Sequence, residues 1–403
     1  MKILFINCVY GAGSTGKITQ DLHEYYLKSG IESVVYYGRC RCEPQKYVNR
    51  IGNEIYSKLN NLWSRITGIM YGGCFLSTTL LINRIKKENP DIVHLHCING
   101  YFVNIYRLIS WLKKNKIKTV LTLHAEFMYT ANCGHAYDCE KWINGCKQCP
   151  RFRTETKSIF FNRTHKSFEL MRKAFDGFDS ELIVVSVSPW LEERAKRALI
   201  LNSKKHRCVY NGINTNTFRA YDSCEYKSAF CSNGEKMIFH ATAQFSDSPE
   251  NMKGGIWILH LAERMKNKNV KFVVAGKNLV QGDLPENLIL LGEVRDQEKL
   301  ARLYSEADIT LITSKKETFS MIVAESLCCG TPVVGFEAGA PETIGIEPYS
   351  QFVTYGNLDL LEEAIERFIE CDFDKNIISS VAQQKYSKEK MAKDYLAIYD
   401  ELI

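Results

Sequence analysis

The chain has 403 residues, enough for about two or three domains, and its 45% hydrophobic and 24% charged residues are ordinary for a globular protein. No apolar run reaches the roughly 18–20 residues of a membrane span, which argues against an integral membrane protein built on such helices. Net charge is +6, but residues 1–209 hold 32 Lys+Arg against 17 Asp+Glu while residues 210–403 hold 20 against 29, so the first half is set to meet something anionic.

Lys2 to Asn7 reads as a strand; the start is too short for a secretory h-region. It runs into Gly11-Ala12-Gly13-Ser14-Thr15-Gly16-Lys17 and a helix with Ile18, Leu22, Tyr25 and Tyr26 on one stripe. Strand, glycine-rich turn and helix form a phosphate-cradling layout. Gly11-x-Gly13-x-x-Gly16 fits a dinucleotide fingerprint, yet the next strand, Ser33 to Tyr37, ends in Gly38-Arg39 with no acid for a ribose. A P-loop is nearly matched, but Ile18 stands where Ser or Thr would hold magnesium. Residues 54–87 carry Ile55, Leu59, Leu62, Trp63, Ile66 and Ile69 at helical spacing beside Lys58 and Arg65. This is expected to be a core-packing helix, with a membrane-surface helix as the alternative.

Asp91 to His96 is the next strand, with His94 and His96 on one face and His96 near its carboxyl end, where open α/β sheets bind ligands. Another strand, Lys118 to Thr122, leads to His124-Ala125-Glu126. Cys133, Cys139, Cys146 and Cys149 follow. The closing Cys-x-x-Cys could bite on one zinc ion, with Cys133 and Cys139 completing a tetrahedral structural site; buried reduced thiols and disulfides are the alternatives. Fifteen cysteines in a chain without a secretory signal read as reduced thiols in a cytoplasm. Residues 147–173 are rich in Lys and Arg and could dock an anionic acceptor. No zinc-finger spacing, RNP-like strand or helix-turn-helix signal favours nucleic acid. Leu182 to Ser188 is a further strand, before the turn Val209-Tyr210-Asn211-Gly212-Ile213-Asn214.

In the second half, Met237 to Ala241 is a strand, and after a polar loop Lys253-Gly254-Gly255 opens an amphipathic helix. Val270 to Ala275 and Leu288 to Leu291 are strands, the latter followed by Glu293-Val294-Arg295. Ile309 to Thr313 is a β-branched strand, and Lys315 to Thr318 is loop. Ser320 is the expected N-cap of a helix over Met321 to Cys329, which Gly330 and Pro332 stop. Glu317 precedes this helix and Glu325 lies inside it, with a phosphate-favouring helix N-terminus between them. A carboxylate, an anion site and a second carboxylate match the hydroxyls, diphosphate and ribose of a nucleotide sugar, because each carboxylate accepts two donors. The chain ends in a helix carrying Tyr395, Tyr399 and Leu402.

The segment from Ser314 to Val334 resembles the donor-site signature of the retaining glycosyltransferases of family 4, which have the GT-B fold. Residues 124–150 resemble a subgroup acting in bacterial capsule or exopolysaccharide synthesis, and Asn211-Gly212-Ile213-Asn214 resembles the family's inter-domain turn. The resemblance implies an α/β protein of two Rossmann-like, doubly wound domains facing a cleft. Residues 1–209 with 386–403 would form the acceptor-side domain and residues 210–385 the donor domain, the last helix crossing back to the first. It implies that His124 and Glu317 serve catalysis, and that Gly13, Gly16, Lys17 and Lys253 meet the diphosphate with the N–H groups of Phe319 and Ser320. Glu325 would bind the ribose, and backbone near Val294 would read the base. The family's phosphate-clamp arginine is missing from Ala241-Thr242-Ala243-Gln244-Phe245, and Lys17 or Arg295 would replace it. No metal is required for catalysis on this reading. The donor would be UDP- or GDP-linked and the acceptor a lipid-linked saccharide. The enzyme would be cytoplasmic, on the inner face of the cell membrane, touching it through the basic first domain. A GT-B nucleotide-sugar epimerase and a non-catalytic GT-B partner subunit remain as alternatives.

Overall fold

A computed structural model describes residues 1–403 except Arg41 and Asn233. The chain divides into two compact units, Met1–Tyr210 with Met391–Ile403, and Asn211–Lys390.

The first unit is a parallel sheet of seven strands. They are β1 (Lys2–Asn7), β2 (Glu32–Tyr37), β3 (Val48–Arg50), β4 (Ile92–Leu95), β5 (Thr119–Leu123), β6 (Leu182–Ser186) and β7 (Lys205–Cys208). Their order is β3-β2-β1-β4-β5-β6-β7, so the winding reverses between β1 and β4. Leu4 of β1 pairs with Val34 on one side and Val93 on the other. Ile3, Leu4, Phe5 and Ile6 are all fully buried. Parallel strands are covered on both faces by their crossover helices, so a continuous apolar run is what β1 requires. Four long helices follow in the first half of this unit: α1 (Gly13–Lys28), α2 (Glu54–Thr67), α3 (Phe75–Glu88) and α4 (Ile105–Lys114). The helix Lys388–Leu402 lays Met391, Tyr395, Ile398, Tyr399 and Leu402 into the core with Phe5, Leu22 and Tyr26. The Tyr26 hydroxyl donates to the Ala392 carbonyl at 2.8 Å.

Residues 54–87 differ from the sequence expectation. Gly68 ends α2 in a left-handed cap, so two helices replace one. The α2 apolar stripe faces solvent rather than the core.

The second unit repeats the plan in β8 (Lys236–Phe245), β9 (Val270–Asn278), β10 (Leu288–Gly292), β11 (Ile309–Ile312), β12 (Val333–Phe336) and β13 (Ser350–Val353). The order is β10-β9-β8-β11-β12-β13, reversing between β8 and β11. Its core joins Ile238, Phe272, Val274, Ile309, Leu311 and Val334. The helix Met321–Cys328 stops as its sequence predicts. Gly330 has φ +83°, and the amides of Gly330 and Thr331 donate back to Leu327 and Ser326 at 3.0 Å. This is two Rossmann-like domains with a C-terminal helix, the fold that the sequence resemblance implies.

Candidate active site

In open parallel sheets, ligands bind beyond the carboxyl ends of the strands, where the winding reverses. In the second unit that position lies after β8 and β11. The loop after β8 supplies Lys253 and the loop after β11 supplies Glu317. Their side chains meet, Lys253 Nζ to Glu317 Oε1 at 2.6 Å, and both are partly buried.

Each loop is held by backbone contacts. The Lys315 amide donates to the Met252 carbonyl at 2.8 Å, and the Thr313 hydroxyl donates to the Lys253 carbonyl at 3.1 Å. Gly254 caps the next helix at φ +65°, and a Cβ there would lie 2.0 Å from the Thr313 carbonyl oxygen. Only glycine lets the two loops approach this closely. The Glu317 amide donates to the Ala338 carbonyl at 2.9 Å, and the Ala340 amide donates to the Glu317 carbonyl at 3.2 Å. The Glu342 carboxylate in turn accepts from the amides of Ala338 and Gly339, at 3.0 and 2.7 Å. Glu342 thus fixes the loop that fixes Glu317, a role the sequence reading did not assign.

Ser320 occupies the N-cap position of the helix Met321–Cys328, but with φ +73° its hydroxyl makes no capping bond. Phe319 is buried, its ring edge-on to Tyr386 at 6.3 Å. Glu325 lies about one turn along the helix and accepts a long contact, 3.5 Å, from the Tyr304 hydroxyl. Burial and the Glu325 charge raise the Tyr304 pKa well above its usual value, so Tyr304 stays a donor. Val294 is half-buried in the loop after β10. Arg295 is 83% exposed and pairs with Glu293 at 2.9 Å. The structure therefore brings Lys253 and Glu317 together and leaves Arg295 turned to its neighbour. Where the clamp arginine was sought, β8 simply continues to Phe245, with a bulge between Ala241 and Gln244.

In the first unit the corresponding position lies after β1 and β4. Gly13 and Lys17 are exposed at the start of α1, and Gly16 is buried, its carbonyl accepting from the Gly11 amide at 3.0 Å. Beyond β4 and β5, His96 Nδ1 and His124 Nε2 share a hydrogen bond of 3.0 Å, their rings stacked. Deeper in, His94 is bonded on both nitrogens, to the hydroxyls of Tyr399 and Thr122, each at 2.7 Å, and Thr122 is bonded to Tyr395 at 2.9 Å. Burial drives His94 and His96 well below the usual histidine range and lowers His124 to about 4. All three are neutral near pH 7. Tyr395 and Tyr399 were missed as part of this network. Their spacing of four on a buried helix face was the available signal.

Glu126 lies two residues after His124 and turns inward. It is fully buried and accepts from the Tyr129 hydroxyl (2.7 Å), the Ala136 amide (2.5 Å) and Arg194 Nε (2.7 Å). Arg194 in turn lies over the rings of Trp142 and Trp190, at 4.7 and 4.9 Å.

The zinc expectation is overturned. Among the described residues, no three His, Cys, Asp or Glu side chains converge as a metal site, so Cys133, Cys139, Cys146 and Cys149 are not a ligand set. All four are free thiols. Burial raises the pKa of Cys133 and pushes Cys146 up to about 12, which favours the thiol over the thiolate that a metal needs.

Comparison with known proteins agrees with this architecture. The profile of Glycosyltransferase Family 4 matches residues 15–217, half of the chain, and that of Glycosyl transferases group 1 matches residues 239–371. The chain is 20% identical to WcaC of Escherichia coli (strain K12), which is named for glycosyl transfer in colanic acid biosynthesis; 100% of each chain is covered. It is also 20% identical to a 41.2 kDa protein in the cps region of Klebsiella pneumoniae, over 86% of this chain and 88% of that one. Among solved structures, Anabaena HepE in complex with UDP and glucose has a TM-score of 0.64 at 16% identity, covering 100% of both chains, and shares the fold. The chain belongs to Glycosyltransferase Family 4, and it is a glycosyltransferase of the GT-B fold.

Proposed function

We propose that the chain moves a hexose-type sugar, with retention at the anomeric carbon, from a UDP- or GDP-linked donor to a lipid-linked saccharide during synthesis of a bacterial surface polysaccharide. Residues 210–385 would bind the donor, and residues 1–209 with 386–403 the acceptor. The observation that carries the reading is the Lys253–Glu317 pair, set where the second sheet reverses and just ahead of the helix Met321–Cys328. A cation, an amide-rich helix start and two carboxylates suit a diphosphate between two sets of hydroxyls.

In the reaction, the bond from C1 of the sugar to the β-phosphate oxygen breaks, and the electron pair stays on that oxygen. The acceptor oxygen bonds to C1 on the same face, and its proton passes to the phosphate oxygen. Lys253 and the amides at Phe319 and Ser320 stabilise the negative charge on the leaving group, which is the main catalytic term. The ammonium has three donors, so Lys253 can keep Glu317 and take a phosphate oxygen. Glu317 then holds sugar hydroxyls and Glu325 the ribose. Gly13, Gly16 and Lys17 supplement the phosphate contacts, backbone at Val294 reads the base, and Arg295 takes part only by leaving Glu293. His124, neutral, offers a hydrogen bond rather than a charge. WcaC and the Klebsiella protein support the polysaccharide setting by their names, and the HepE complex supports UDP.

Calorimetric titration with UDP, GDP, ADP and NAD tests the donor site. UDP or GDP should bind best, and Glu325→Ala should weaken that binding at least tenfold, the loss of a charge-assisted hydrogen bond of about 1.5–3 kcal/mol. Glu317→Ala should abolish nucleotide release from the sugar donor while nucleotide affinity changes by less than about threefold. A folded chain that binds neither UDP nor GDP would instead be a non-catalytic partner, and isomerised donor without acceptor would indicate an epimerase.

A further inference from the structure

α2 is built inside out. Ser57 and Ser64, two turns apart, are buried against the first unit. Ile55, Leu59, Leu62, Trp63 and Ile66 form the opposite stripe and stand in solvent, Ile55 at 73% and Leu59 at 60% exposure. A helix that serves only the core buries its apolar face and leaves its serines outside.

The stripe continues onto two neighbouring segments. Phe75, Leu76 and Leu80 of α3 are exposed, Leu76 at 77%, and so are Ile159, Phe160 and Phe161. Hydrogen bonds hold the three pieces side by side. The Ile159 amide donates to the Arg65 carbonyl at 2.8 Å, and Arg65 Nε donates to the Lys157 carbonyl at 3.2 Å. The Cys74 amide, at the start of α3, donates to Asn60 Oδ1 of α2 at 2.7 Å. Scattered exposed apolar residues need no explanation, but a contiguous surface of this kind marks an interaction site.

Cations surround it. Residues 54–87 hold five Lys and Arg against Glu54 alone, and Glu54 is paired with Arg39 and Arg50. Residues 147–173 hold eight against two, and those two, Glu155 and Glu169, are paired with Arg151 and Arg172. Lys58, Arg65, Arg153 and Lys157 are exposed. A cavity of about 360 Å³ at the same edge is lined by Trp63, Ile69 and Leu170 with Arg107 and Lys173, and by no carboxylate.

A second copy of the chain would set cations against cations across a two-fold axis. Nucleic acid would leave the apolar stripe unused. An anionic bilayer satisfies both features, because apolar side chains enter the boundary below the headgroups while Lys and Arg meet the headgroups. We infer that the α2–α3 face, with residues 159–161, docks on an anionic lipid bilayer with α2 lying in its plane. No helix among the described residues is long and apolar enough to cross a membrane, so this contact is peripheral. The inference stands independently of the sugar-transfer reading.

Co-sedimentation of the full chain with vesicles tests it, using phosphatidylcholine alone and an equal mixture with phosphatidylglycerol. The mixed vesicles should bind at least tenfold more tightly. Lys58→Ala should weaken binding about fivefold, the share of one cation near such a surface. The pair Leu59→Ser and Leu76→Ser should weaken it at least tenfold with the melting temperature unchanged, since both side chains already face solvent. A folded chain that ignores the mixed vesicles overturns the inference. So does binding that survives the two serine substitutions, and so does a lipid-free dimer that those substitutions dissociate. UDP titration on the same preparations separates the two proposals: lost lipid binding with intact UDP binding counts against this inference alone, and the reverse counts against the donor site alone.

Discussion

Glu126 takes a negative charge into a fully buried position, and its neighbours show why that is tolerated. It accepts from Tyr129, the Ala136 amide and Arg194, whose Nη2 is also 2.6 Å away. A buried ion pair is no sure gain over apolar packing, but removing one partner strands the other. Glu126→Ala should therefore destabilise the first unit by about 3–5 kcal/mol in urea unfolding. Adding Arg194→Leu should recover part of that loss, because the stranded charge goes with it. If the double variant were less stable than the single by the full cost of Arg194→Leu alone, the two residues would not be coupled. Beside His124 in sequence, Glu126 invites a catalytic reading. Its true partners lie up to 68 residues away, and spacing carries no trace of them.

Elements were legible where one local rule decides them. β1, β11 and β12 are short apolar, β-branched runs, as strands covered on both faces must be. The stop at Gly330 follows from its left-handed conformation alone. Periodicity in α2 revealed a stripe but not its direction, since Ser57 and Ser64 are small enough to sit inside and nothing local forbids it. The Lys253–Glu317 contact spans 64 residues and depends on which strands flank the reversal. Gly254 permits that contact, so it offers a test at this scale. Gly254→Ala forces a Cβ into a left-handed position and against the backbone oxygen of Thr313, which no rotamer change relieves. Stability should fall by more than about 1 kcal/mol, and UDP or GDP affinity at least tenfold as the two loops part. Thermal unfolding and calorimetry read the two effects separately; unchanged affinity would mean that the loop approach does not matter to the donor.

Across the whole molecule, burial of histidines sets a pH limit. His23, His94, His96 and His240 are buried, each bonded to a hydroxyl, a carbonyl or another ring. Burial lowers His23, His124 and His240 to about 4, and holds His94 and His96 well below the usual range. In the unfolded chain these groups titrate near 6.5. Above that pH both states are neutral and the histidines add no slope. As pH falls through about 6.5, the unfolded chain binds protons that the folded chain refuses, so stability drops with the excess bound by the unfolded state. For a buried residue such as His23 or His240 the loss approaches about 3 kcal/mol once the pH is near 4. The Glu88 carboxyl, lowered mainly by its hydrogen bond from Lys2, acts in the same direction but only in a lower window, as pH falls past the ordinary carboxylate range. Urea midpoints should then be nearly level from about pH 8 to pH 7 and fall steeply between about pH 6.5 and pH 4. A level profile down to pH 5 would mean that the folded chain takes up those protons, and that the rings beyond β4 and β5 are charged rather than neutral.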